Sequence, residues 1–139
     1  MYIHAHTPFC FNLNFNMKYT QKKCDSLLSP IIKLLYPKCL LCGGQTQIAH
    51  HFIKKSVSSF HRYNLKNLIN LCNACHFRLH FNDEGLWNGR IALIKGKRWL
   101  DNLEKHKRDY VRCNLEYYER IYKKLKKKLD KLNKPVLEY

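Results

Sequence analysis

The spacing of apolar and polar positions changes several times along the chain, and the changes mark out its elements. Residues 1–24 carry little pattern beyond Asn12, Asn14 and Asn16 alternating with apolar residues, and they read as a leader. The run Ile31-Ile32-Lys33-Leu34-Leu35-Tyr36 then stops at Pro37. Ser29 before Pro30 reads as an N-cap followed by Pro at the first helical position, where a missing N–H costs nothing, so a short helix is predicted. Gln47 to Phe52 is short and bounded by turn and basic residues, and Leu68-Ile69-Asn70-Leu71 is a second apolar run. Both read as strands. Between them lies a basic, serine-bearing loop from Lys54 to Lys66. Asn73 is placed to cap a helix carrying His76, Leu79 and His80. The order is strand, long loop, strand, helix.

From Asp83 onward the pattern is helical. Leu86, Trp87, Ile91, Leu93 and Ile94 supply apolar surface up to a break at Gly96, and Trp99, Leu100 and Leu103 mark a further short helix. Val111, Leu115, Tyr118, Tyr122, Leu125, Leu129 and Leu132 alternate spacings of four and three, which predicts an amphipathic helix ending before Pro135. Its other face is rich in lysine, from Lys123 to Lys128. The apolar stripe suits either packing on the chain's own core or a homodimer seam. The fold class expected is α+β. The chain divides into a leader (1–24), a central domain with flanking helices (25–109) and a basic C-terminal helix (110–139).

A chain of 139 residues suits one domain with a modest core. Its formal charge of +16 points to a polyanionic partner, nucleic acid first, with an anionic membrane surface as the alternative. No apolar run is long enough to span a bilayer, so a membrane protein is not expected. The opening Met1-Tyr2-Ile3-His4-Ala5-His6 lacks the pattern of a signal peptide, and Met17 is a candidate natural start, since the domain-like sequence begins just after it. Seven cysteines would fit a secreted disulfide scaffold, but the number is odd and four of them sit in CxxC pairs. That pattern favours reduced thiolates on a metal in a cytoplasm. Cys10, Cys24 and Cys113 are left as ordinary thiols.

The chemistry concentrates between Cys39 and His80. Cys39, Cys42, Cys72 and Cys75 form CxxC…CxxC, a set that can close a structural Zn2+ site; the alternative is four buried free thiols. His76 and His80, four apart on a predicted helix, share a face, and His50 at the strand end can complete a three-histidine site with open positions. His51, its strand neighbour, points to the opposite side of the backbone and can serve as a general base. Asn67 can hydrogen-bond the backbone or imidazole around His51. His4, His6, His61 and His106 have no such context and read as surface residues.

Over residues 39–80 this arrangement resembles the HNH endonuclease family, the ββα-metal nucleases. The residues that carry the resemblance are Ala49-His50-His51-Phe52, Asn67-Leu68, Cys75-His76 and the paired cysteines of the zinc-bearing branch. The resemblance implies a small ββα-metal core with a structural zinc knuckle, and a DNA endonuclease with His51 as general base. His50, His76 and His80 would hold the catalytic divalent ion and Asn67 would be the positioning residue. That ion is expected to be Mg2+ or Mn2+, with Zn2+ or Ni2+ as further candidates, because His50 stands where many members carry Asp. Lys54, Lys55, Arg62 and Lys66 are the expected DNA contacts. The stretch from Lys97 to Glu104 is similar to the tail of phage recombination nucleases of the NinG/Rap type, which act on branched DNA. Two other classes compete: a non-catalytic zinc-bound nucleic-acid-binding module, and a zinc-stapled protein-interaction domain with a coiled-coil tail.

Overall fold

The computed structural model describes residues 19–135. The expectations for the leader before residue 19, including Met17, Cys10, His4 and His6, lie outside the described residues. The fold is mixed α+β: helices α1 (Gln21–Asp25) and α2 (Leu28–Leu35), strand β1 (Ile48–His51), strand β2 (Leu68–Leu71), then α3 (Asn73–Phe81), α4 (Glu84–Lys95), α5 (Lys97–Lys105) and α6 (Leu115–Leu132). The strands form a two-stranded antiparallel sheet in which His50 faces Ile69 and His51 faces Leu68. Among the described residues no helix is long and apolar enough to cross a membrane.

β2 is buried along its whole length, and its alternation feeds two apolar clusters. Leu68 joins Cys24, Leu28, Ile31, Ile32, Tyr118 and Leu125, the core between α1, α2 and α6. Ile69 and Leu71 point the other way and join Cys39, Cys75, Leu79 and Ile91. Side chains at i and i+2 of a strand share a face, so one apolar strand serves both sides. Tyr118, Tyr122, Leu125, Leu129 and Leu132 of the α6 stripe pack against this chain's own α1 and α2, while Leu115 stays 51% exposed.

Several local expectations are corrected. Helix α1 begins within the stretch read from the sequence as unpatterned. Thr20 caps α1 by accepting from the Lys23 N–H at 3.2 Å, and Cys24 is fully buried in the core. Helix α2 starts at Leu28, so Ser29 is not its cap; the Ser29 hydroxyl instead accepts from the Ala49 N–H at 3.1 Å, tying α2 to β1. Asn73 is the first residue of α3, and Cys72 is the cap, its sulfur accepting from the Cys75 N–H at 3.4 Å. Only Ile91 of the α4 apolar set is fully buried, while Leu86, Leu93 and Ile94 are exposed. α4 begins under an Asp83 cap and ends at Gly96, whose φ of +89° favours glycine.

His61 is a further correction. It is 1% exposed, with Nε2–H donating to the Leu103 carbonyl at 2.8 Å. Its Nδ1 lies 3.1 Å from the Asn64 amide nitrogen, whose oxygen is held by the Lys66 N–H. A carbonyl can only accept, and the Asn64 amide is oriented by its other bond, so the ring carries its proton on Nε2. His61 is a core fastener between the 54–66 segment and α5.

Candidate functional site

The first centre is built from a tight turn and the N-terminus of α3. Gly43, at φ +75°, lets the chain reverse after Cys42, with the Gly43 N–H bonded to the Cys39 carbonyl at 2.9 Å. The Asn70 amide donates to the Lys38 carbonyl at 2.6 Å, and the Leu40 N–H reaches the Asn70 carbonyl at 2.9 Å, so the knuckle is fastened to β2. The sulfurs of Cys39, Cys42, Cys72 and Cys75 all lie within 4.8 Å of one another, with Cys42 and Cys72 at 3.6 Å. A tetrahedral site with Zn–S bonds of about 2.3 Å has sulfur–sulfur edges of about 3.8 Å. The four cysteines are therefore close enough to hold a structural metal such as zinc. Burial works against the Cys39 thiolate, yet the N–H groups of Cys42, Cys72 and Leu41 outweigh it and bring its pKa down to about 7. Burial and hydrogen bonds to the other sulfurs push Cys75 up, so without a cation the cluster resists full ionisation.

The second group gathers at the sheet end. His50 projects from β1 toward His76 and His80 on α3, and their ring nitrogens also lie within 4.8 Å of one another. His76 and His80 sit one helical turn apart with their Nε2 atoms 3.0 Å from each other. This set, too, could hold a metal ion. Burial, reinforced by the neighbouring histidines and Lys54, drives the His50 pKa down to about 3, and burial next to His80 lowers that of His76. Both therefore present lone pairs at neutral pH.

His51 lies beside this group but is held separately. Its Nε2–H donates to the Arg62 carbonyl at 2.8 Å, which leaves Nδ1 as the ring nitrogen with the lone pair. Burial lowers its pKa, opposed by that carbonyl and assisted by Lys55 and Arg62. The result is a neutral imidazole with one fixed tautomer. His50, His51, His76 and His80 all line one cavity of about 770 Å³, together with Lys54, Lys55, Arg62 and Arg108.

The remaining expected residues divide. Asn67 is fully buried and does not reach the His51 ring. Its Oδ1 accepts from the Ile53 N–H at 2.8 Å, and its Nδ2 donates to the carbonyls of Ile53 at 3.0 Å and His61 at 3.3 Å. It staples both ends of the loop that carries Arg62, so its influence on His51 is indirect. Arg62 is not a free cation either. It forms a fork with Asp25, Nε to Oδ1 at 3.1 Å and Nη2 to Oδ2 at 2.6 Å, with its side chain 17% exposed. Lys54 pairs with Glu84 at 3.1 Å, Lys55 stays at the cavity rim, and Lys66 lines a different recess. Asp25 and Arg108 are additions that sequence reading missed. Asp25 lies 37 residues before its partner and has no local signature.

Compared with known proteins, the chain matches no family model, no curated protein and no solved structure.

Proposed function

We propose that the protein is a metal-dependent DNA endonuclease of the HNH type, hydrolysing phosphodiester bonds at the histidine cavity. The observation that carries this reading is the pairing of a three-histidine group with a fourth, differently held histidine on one basic cavity. The order antiparallel strands then helix, with the His50–His51 pair on the first strand and His76 and His80 on the helix, is what a ββα-metal core requires. The charge of +16 supports a polyanionic substrate.

His50, His76 and His80 would hold the divalent ion, which when bound supplies positive charge against the phosphorane-like transition state and the 3′ leaving oxygen. An all-imidazole donor set suits Zn2+ or Ni2+ better than Mg2+, which prefers oxygen ligands. Zn2+ and Ni2+ therefore come ahead of the Mg2+ and Mn2+ expected from the sequence. His51 Nδ1 accepts a proton from the attacking water, while the Arg62 carbonyl stabilises the Nε2–H side of the imidazolium that forms. The water oxygen bonds to phosphorus as the bond to the 3′ oxygen breaks, leaving 5′-phosphate and 3′-hydroxyl ends. Lys54, Lys55 and Arg108 at the cavity bind and orient phosphates. The similarity of residues 97–104 to recombination nucleases makes branched DNA the first substrate to try.

The test is nicking of supercoiled plasmid by the purified chain with Zn2+, Ni2+, Mn2+ or Mg2+ in turn. Removing a general base typically lowers the rate by about 10²–10⁴. His51→Ala should therefore abolish detectable nicking while leaving DNA binding intact. DNA binding without nicking under every metal would leave the non-catalytic zinc-bound module.

A further inference from the structure

A second recess, of about 630 Å³, shares no lining residue with the histidine cavity and takes Phe60, His61, Tyr63, Asn64 and Lys66 from the 54–66 segment. Lys66, Lys105, Arg120 and Lys124 line it, all exposed, and no Asp or Glu does. Three acids in neighbouring positions are engaged by other groups: Glu104 by Lys107 at 3.3 Å, Asp109 by His106 at 2.6 Å and Glu119 by Lys123 at 2.6 Å. None of the four cations forms a salt bridge among the described residues, and Arg120 lies over the Tyr117 ring at 5.8 Å. They come from three separate parts of the chain, the 54–66 loop, α5 and α6, and the fold brings them together.

The lining is also aromatic. Phe60 is 38% exposed at the recess and stacks against His106 with ring centroids 5.0 Å apart. Trp99 is fixed by its Nε1–H to the Lys66 carbonyl at 2.8 Å. Cations that track phosphates, interleaved with ring faces on which bases stack, are the chemistry that holds unpaired nucleic acid.

We propose that this recess binds an unpaired DNA strand, as a second nucleic-acid site separate from the histidine cavity. With both sites filled, the protein would hold two DNA segments at once. The binding claim does not depend on cleavage at the histidines.

The test is fluorescence anisotropy of the full chain with a labelled oligo-dT strand and with a duplex of equal length, over a salt series. Arg120→Glu/Lys124→Glu is compared with Lys127→Glu/Lys131→Glu, an equal charge change on the same helix outside the recess. The first variant should weaken single-strand binding at least about tenfold beyond the second, and flatten the slope of log affinity against log salt by about 1.4, two single-strand phosphate contacts. Phe60→Ala, which leaves charge untouched, should cost about 5- to 100-fold on the single strand and little on the duplex. Circular dichroism confirms the fold of each variant, and Lys66→Glu replaces the double variant if that one unfolds. Equal losses in the recess and control variants would overturn the site. A Phe60→Ala effect no larger on the single strand than on the duplex would overturn its assignment to unpaired DNA.

Discussion

Replacing Asn67 by alanine is the perturbation whose cost follows most directly from the geometry. The side chain is fully buried and makes three hydrogen bonds to backbone groups of Ile53 and His61, themselves 4% and 1% exposed. Truncation leaves the Ile53 N–H and the Ile53 carbonyl without partners in a dry site, while the His61 carbonyl keeps the Asn64 N–H at 3.2 Å. An unsatisfied buried group costs about 1–3 kcal/mol, and partial relaxation of the loop reduces the sum, so a total of about 2–4 kcal/mol is expected. Unfolding entropy near 2.1 cal/mol/K per residue gives about 0.3 kcal/mol/K for 139 residues, and hence a Tm lowered by about 7–13 °C. Thermal melting followed by circular dichroism at saturating zinc reads this directly. Asn67→Asp should do no better, because its carboxylate would face two carbonyls. A Tm within about 2 °C of wild type for Asn67→Ala would refute the staple and return the residue to a direct role at the ring of His51.

Three other outcomes follow from the same contacts. Cys72→Ser removes one sulfur of the four-cysteine cluster while its hydroxyl can still cap α3, so the variant should hold one equivalent of tightly bound zinc fewer than wild type and melt below it; unchanged zinc content on mass spectrometry would contradict the site. Because the folded-state pKa of His50 lies near 3, below its unfolded value of about 6.5, only the unfolded chain gains a proton between those values. Metal-free stability should thus be fully present above about pH 6.5 and fall as pH drops toward 3, and the fall should be shallower in His50→Gln, as read by urea denaturation. Asp25→Asn weakens the fork that holds Arg62; with both side chains partly exposed, about 1–2 kcal/mol of stability should be lost, measured by the shift of the urea midpoint.

What could be read from the sequence was whatever local spacing dictates. The cysteine pairs, the strand Leu68–Leu71 and the turn of helix that aligns His76 with His80 are set by neighbours a few residues apart. What was missed depends on partners far along the chain. Arg62 looks like a free cation until Asp25 meets it, and His61 looks like a surface residue until α5 folds across it. Ser29 fits a helix cap by every local rule, but the Ala49 N–H of β1 takes its hydroxyl. Cys24 closes an unpatterned stretch, yet its side chain fills the core under α6. In each case a tertiary contact overrode a correct local preference.

The central claim is tested most directly by incubating a 5′-labelled four-way junction and a matched linear duplex with the purified chain, with and without divalent ions. His51→Ala is run alongside. Metal-dependent cutting that leaves 5′-phosphate ends and vanishes in His51→Ala is the result expected, with the junction cut faster than the duplex. A chain that binds both DNAs but cuts neither under Zn2+, Ni2+, Mn2+ or Mg2+ would contradict the nuclease assignment.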